Sequence, residues 1–119
     1  MVSIDLSTVE FDGHSVVGLR GELDAADAAG VAVSLAAVVA RHPDTIIDLT
    51  DLAFIDCGGL WALAVTREQA AQAGGDLVLA GPQQLVLRIL ALTGLAAVFS
   101  VHPSVEQARA GTPVTDRPA

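Results

Sequence analysis

The apolar positions of the chain first alternate with polar ones and then change to helical spacing. Alternation predicts two strands, in the segments VSIDLSTVE and SVVGLRG, and Asp12-Gly13 between them predicts a hairpin turn. Over residues 25–41 apolar side chains recur every three or four positions, which predicts a helix that Asp24 can cap. The chain therefore begins with a β-hairpin and a helix.

The rest of the chain alternates short β-branched runs with helical patterns. TIIDL predicts a buried strand, and TDLAFID after it predicts a connection. The remaining predicted elements are a helix from Gly58 or Gly59 to about residue 73, a strand at DLVLAG, a helix over 82–93, a strand at AVFSV and a short helix over 104–110. Residues 111–119 are polar and contain proline, so a flexible tail is expected there.

This order of elements predicts the fold class. A chain of 119 residues favours one domain, which we expect over residues 1–110. Alternating strands and helices after an opening hairpin predict a single α/β domain with a mixed, mostly parallel sheet and helices packed on it.

Composition narrows the possible partners. The net charge is −8, with six arginines and no lysine, and such a surface repels nucleic-acid phosphates and anionic lipids. No apolar run approaches the roughly 20 residues that cross a bilayer, and the N-terminal stretch lacks a signal-peptide pattern, so no membrane insertion is expected. We therefore expect a cytoplasmic protein that binds a basic or mixed protein surface.

The segment FIDCGGLWAL contains the chain's single cysteine, Cys57, at a predicted helix start. A thiolate there can act as a nucleophile, but it needs a base, which is usually histidine. The three histidines, His14, His42 and His102, fall in turns on different connections of the predicted fold. We therefore expect Cys57 to be a small buried or half-buried apolar residue, with a redox-sensing thiol as the alternative.

Metal and phosphate sites are the other chemical candidates. Four aspartates could offer oxygen ligands to Mg²⁺, namely Asp24, Asp48, Asp51 and Asp56. Aspartate more often caps helices and turns, so no metal is expected. Gly58 and Gly59 could cradle a phosphate, but neither GxxxxGK[ST] nor GxGxxG is present, and no cofactor is expected.

Trp61 is the only tryptophan and has two possible roles. Helical spacing places Leu60 and Leu63 on one side of the helix and Trp61 with Val65 on another. If the first side packs on the sheet, the indole faces the surface or a partner, where tryptophan is a preferred anchor. Large aromatic residues are usually mostly buried, so we expect core packing over the partner-facing position.

Three segments together resemble a known family. They are GELD at residues 21–24, TIIDLTDLAFIDCGGLWAL, and GGDLVLAGPQQLVLRILALTGLAAVFSVHPSVEQA. From about Ile4 to Ala108 the chain resembles STAS domains, specifically the bacterial anti-sigma-factor antagonists. The resemblance implies a module that binds an anti-sigma factor, itself a serine kinase, and frees the sigma factor. Phosphorylation of a Ser or Thr in the family pattern D-x-[ST]-G breaks that complex, and a phosphatase restores it.

The resemblance also assigns residues. Asp56 and Gly59 match the aspartate and glycine of the motif, Asp24 matches the aspartate of the neighbouring GELD loop, and Gly58 falls at the phosphoacceptor position. The phosphoacceptor is therefore lost. A Gly58→Ser variant is expected to fold, because serine is accepted near helix N-termini at least as well as glycine. The implied partner surface consists of Asp24, Asp56, Cys57, Gly58, Gly59, Leu60 and Trp61.

The function expected from the resemblance is a non-enzymatic binding module, monomeric or weakly dimeric, that is not switched by phosphorylation at position 58. An accessory subunit of an ABC-type transporter ATPase and a nucleotide or small-ligand sensor remain as alternatives. No acid/base pair with supporting geometry can be assembled from the sequence, so an enzyme is not expected.

Overall fold

Six strands form one sheet and four α-helices pack on it in the computed structural model, which describes residues 4–11 and 13–111. The strands are β1 (Ile4–Phe11), β2 (His14–Leu23), β3 (Thr45–Asp48), β4 (Leu52–Ile55), β5 (Leu77–Ala80) and β6 (Val101–His102). The helices are α1 (Ala25–Arg41), α2 (Cys57–Gln72), α3 (Gln84–Leu92) and α4 (Val105–Gly111). Asp12 and the predicted flexible tail beyond Gly111 lie outside the described residues.

Five strands have the order β1-β2-β3-β5-β6 in the sheet. The sixth, β4, also pairs with β2. β1 and β2 are antiparallel, and the other pairs are parallel, which confirms the predicted mixed, mostly parallel sheet entered by a hairpin. No helix of the described segments has the length and apolar character that crossing a bilayer requires.

The connection predicted at TDLAFID is wrong, because residues 52–55 form β4. The amide of Leu52 donates to the carbonyl of Leu49 at 3.0 Å, which closes a tight turn between β3 and β4. β3 pairs with the first half of β2, and β4 continues along its second half, ending with Leu23 opposite Ile55. β4 has four residues and shares its partner β2 with β3. A strand this short shows too few alternating positions to be predicted from the sequence.

The strand predicted at AVFSV is also misplaced. Gly94 has a φ of 78°, and residues Leu95–Ala97 after it form a 3₁₀ turn. After this turn, Val101 and His102 pair with β5, while Phe99 is buried without belonging to a strand. The apolar run is therefore a buried turn followed by a short edge strand.

Apolar side chains fill both faces of the sheet. The larger cluster packs α1, α2 and α3 on one face, and the smaller one joins Ile46, Val78 and Ala80 to Ala108 of α4 on the other. All four residues of β5 are buried, as expected for a parallel strand covered on two sides. Because helices cover both faces of the sheet, a binding site is expected at the ends of the strands.

Gly30, in α1, is a position where a substitution is expected to stabilise the fold. A Cβ at this exposed position would meet no atom within 4 Å, and its φ is not left-handed. Gly30→Ala should therefore raise the free energy of unfolding by about 0.5–1 kcal/mol, because glycine has the greater backbone entropy in the unfolded chain. Urea denaturation measures this change, and a lower midpoint in the variant would contradict the prediction.

Candidate functional site

Two helix N-termini lie side by side at the carboxyl ends of β2 and β4. Leu23 ends β2 and Ile55 ends β4, and these residues are partners in the parallel pairing. Each strand passes through one aspartate, Asp24 or Asp56, into a helix. Because the two connections have the same short length, α1 and α2 begin next to each other.

Asp24 and Asp56 cap these helices, which confirms the predicted capping by Asp24. The Asp24 carboxylate accepts from the amides of Ala26 at 3.0 Å and Asp27 at 3.3 Å. One oxygen of Asp56 accepts from the Gly59 amide at 3.0 Å, which caps α2. Its other oxygen accepts from the Ala25 amide, also at 3.0 Å, so a single carboxylate binds the ends of both helices.

Gly58 and Gly59 allow the close approach of the two helix ends. A Cβ at Gly58 would lie 2.6 Å from the Cα of Ala25, and one at Gly59 would lie 2.8 Å from the carbonyl oxygen of Leu23. Neither glycine has a positive φ, so space and not backbone conformation requires them. The structure adds a condition to the expectation that Gly58→Ser folds: the Cβ of serine would have to displace the start of α1.

Two side chains at the start of α2 are more exposed than the sequence indicated. Cys57, the first residue of α2, is exposed, so a buried or half-buried position was wrong. Trp61 is 52% exposed, so core packing was wrong for this residue too. Leu60 and Leu63 are buried as the helical spacing predicted. Trp61 therefore presents a large apolar surface beside the two helix ends.

Of the seven residues implied as the partner surface, five lie at or near the surface and two lie beneath it. Gly59 and Leu60 are buried and support the site from below. The five accessible residues are Asp24, Asp56, Cys57, Gly58 and Trp61. Together with Ala25, they form what we call the helix-end surface.

The positions of the histidines do not support a catalytic role for Cys57. His42 follows the last residue of α1, so the 17-residue helix separates it by about 25 Å from the end where Cys57 lies. His14 and His102 lie in strands β2 and β6, where turns were predicted. Within residues 4–11 and 13–111, no three His, Cys, Asp or Glu side chains are grouped for a metal ion.

Comparison with known proteins identifies the family of this chain. Residues 5–108 match the family model described as the STAS domain. The chain belongs to the STAS domain family. It is 30% identical over 110 residues to the anti-sigma-F factor antagonist RsfB of Mycobacterium tuberculosis, which covers 92% of this chain and 89% of the relative.

Solved structures agree with this assignment. A crystal structure of an anti-sigma factor antagonist from Mycobacterium paratuberculosis superposes with a TM-score of 0.84 at 31% identity, covering 92% of this chain and 94% of the other. The unphosphorylated form of the anti-sigma factor antagonist SpoIIAA superposes with a TM-score of 0.74 over 89% of this chain and 92% of the other. At 19% identity, that second likeness shows the fold alone.

This STAS domain also exposes apolar residues that the sequence analysis missed. Phe54 on β4 is 37% exposed, and Leu85 and Leu92 on α3, which packs beside β4, are 48% and 80% exposed. The available signal was the segment QLVLRILAL, which has more apolar positions than one buried helix face can use.

Two threonines flank the helix-end surface in the sequence, and the structure distinguishes them. Thr66 is fully buried, and its hydroxyl donates to the carbonyl of Ala62 at 2.8 Å. Thr50 is exposed in the turn after β3, and its hydroxyl donates to the carboxylate of Asp48. Only Thr50 of this pair has an accessible hydroxyl.

The capping hydrogen bonds also change the acidity of Asp56. The bond from the Gly59 amide, followed by those from Ala25 and Gly58, holds the pKa of this carboxyl below its ordinary value of 3.8, although partial desolvation opposes the shift. Because the folded pKa is the lower one, the charged carboxylate stabilises the fold above the ordinary pKa. This contribution is lost as the pH falls through the lowered value.

Asp56→Asn tests this dependence on pH. Asparagine can still accept from the Gly59 amide but has no charge to lose, so its stability should fall less steeply in acid than that of the wild type. Urea midpoints measured from about pH 7 to about pH 2 give the two slopes. Equal slopes below about pH 4 would contradict the assignment of Asp56 as a charge-dependent cap.

Proposed function

We propose that the helix-end surface binds an anti-sigma factor and thereby frees the sigma factor that this partner holds. The observation that carries the proposal is the half-exposed Trp61, which follows the capped start of α2 in a chain about as long as its relative RsfB. Tryptophan is among the residues that most often anchor protein interfaces. An indole held near the start of a rigid helix loses little conformational freedom when a partner covers it.

Charge defines the partner surface further. The chain has a net charge of −8, and Asp24 and Asp56 place two carboxylates at the centre of the helix-end surface. Both are bound by backbone amides, so they are held in place before any partner arrives. We therefore expect arginine or lysine on the anti-sigma factor opposite these carboxylates, and association that slows as salt is added.

The same proposal excludes the usual switch at position 58. Phosphoryl transfer requires an oxygen nucleophile in line with the γ-phosphate, and Gly58 has no side chain. Thr66 is buried and hydrogen-bonded, so it does not replace the missing hydroxyl. The bound state of this antagonist would then depend on the amounts of the two proteins and not on a phosphate at this position.

Purification of the tagged full chain from its native host, followed by mass spectrometry, tests the proposed partner. The proposal expects a kinase-like anti-sigma factor, and the purified pair should then be assayed for release of sigma factor from its complex with the anti-sigma factor. Release in proportion to added chain supports the proposal. Recovery of an ABC-type ATPase instead, with no release of sigma factor, would favour the accessory-subunit alternative.

A further inference from the structure

Gly58 makes an unusually close contact between the two helix ends. A Cβ built on it would lie 2.6 Å from the Cα of Ala25, 2.9 Å from its Cβ and 3.1 Å from its amide nitrogen. Real Cβ atoms do not approach another atom within 3.0 Å, and two of the three atoms belong to the backbone of α1. No rotamer change can relieve such a contact, so the start of α1 itself would have to move.

Further bonds join the same two segments. The Asp56 amide donates to the carbonyl of Leu23 at 3.1 Å, and the Asp56 carboxylate accepts from the Ala25 amide at 3.0 Å. Gly59 is packed against Leu23, where an added Cβ would lie 2.8 Å from its carbonyl oxygen. The carboxylate bridge and the Gly58 contact hold the start of α1 against the start of α2. The backbone bond and the Gly59 contact hold the end of β2, directly before α1, against the same segment.

We infer that Gly58 and Asp56 lock the first turns of α1 and α2 into one arrangement, so that position 58 excludes every side chain. The inference rests on the proposed function only in its consequence for binding: the helix-end surface is presented to its partner in a single state. The position where the resemblance places a phosphoacceptor is a fixed helix contact in this chain. Serine reinstated there should disturb the surface before any kinase acts.

Gly58→Ala tests the lock without a partner, and Gly30→Ala is its matched control. Both add one methyl group to a helical glycine, but the added Cβ at Gly30 meets no atom within 4 Å. Gly58→Ala should lower the unfolding midpoint and speed exchange of the Ala25 amide at least about tenfold, or about 1.4 kcal/mol. Gly30→Ala should raise the midpoint and leave that amide unchanged. Wild-type stability and exchange in Gly58→Ala would overturn the lock.

A second pair of variants tests whether the Asp56 carboxylate joins the two helices, even if Gly58→Ala fails to fold. Asp24→Ala removes a cap whose bonds stay within α1, so faster exchange is expected only at Ala26 and Asp27. Asp56→Ala removes the bridge, so exchange should quicken both at Gly59 in α2 and at Ala25 in α1. An Asp56→Ala effect confined to α2 would show that the carboxylate does not join the helices.

The lock and the proposed function can fail separately. Stability and amide exchange are measured on the chain alone, so they test the fixed arrangement of α1 and α2 independently of the partner's identity. Once an anti-sigma factor is identified, Gly58→Ser should bind it at least about tenfold more weakly than the wild type in the absence of ATP. Wild-type affinity of Gly58→Ser would overturn the single-state surface and leave the partner assignment intact.

Discussion

Trp61→Ala should weaken binding of the anti-sigma factor by about 2 kcal/mol or more, which is about thirtyfold in affinity. The indole is 52% exposed, and Trp61 is the fifth residue of α2, about one turn after its N-cap Asp56. Removing it deletes the largest exposed apolar group of the helix-end surface but leaves the core beneath unchanged. The stability of the chain should therefore change by less than about 1 kcal/mol.

Val9→Ala is the matched control for this measurement. Val9 is 58% exposed, but it pairs with Val16 at the end of the sheet opposite the helix-end surface. Isothermal titration calorimetry with the anti-sigma factor measures the affinity of both variants, and the truncation of Val9 should leave it unchanged. As the only tryptophan, Trp61 also reports directly, and its emission should shift to shorter wavelength when the partner covers it. Unchanged emission in a formed complex would place the interface elsewhere.

Leu63→Ala should have the opposite pattern, with a large loss of stability and little change in affinity. Leu63 lies two residues after Trp61 on α2, is fully buried, and belongs to the larger core cluster. Truncating a buried leucine costs about 2–5 kcal/mol, because transfer free energy is lost and a cavity remains. Urea denaturation should show this cost as a lower midpoint with an unchanged slope.

Titration of Leu63→Ala with the partner, well below the unfolding temperature of the variant, shows whether Leu63 contacts the partner or only supports the helix-end surface from the core. Affinity within about threefold of the wild type would fit a residue that only supports the surface, since 1.4 kcal/mol corresponds to tenfold. Leu85→Ala is the stability control, because Leu85 is 48% exposed and its truncation should cost far less. A small stability loss in Leu63→Ala would contradict the assignment of this α2 face to the core.

The hairpin, the helices and the inward side of α2 followed from periodicity, because each extends over enough residues to show a repeat. Val31 and Leu35 are buried in α1 at the spacing that predicted the helix, and Leu60 and Leu63 are buried in α2. β4 was missed because it is four residues long and depends on β2, which lies far away in the sequence. Pairing of that kind is set by the tertiary structure.

The site was assigned in part by resemblance, and its physical character came only from the structure. The sequence placed Gly58 at the acceptor position, but only the spacing to Ala25 shows that this glycine is a helix contact. It placed Asp56 in a motif, but the bridge to α1 depends on two strands ending at the same level. Trp61 was assigned by a general tendency of aromatic residues to be buried, which neighbouring packing overrode.

The most direct test of the central claim combines the wild-type chain, its captured anti-sigma factor and Mg-ATP. Size-exclusion chromatography follows the complex, while intact mass and peptide mapping of residues 45–66 follow the chain. We predict that the complex persists and that this segment, including the exposed Thr50, carries no phosphate. Stoichiometric phosphate on a residue of that segment, with dissociation of the complex, would contradict the account and show that the switch has moved.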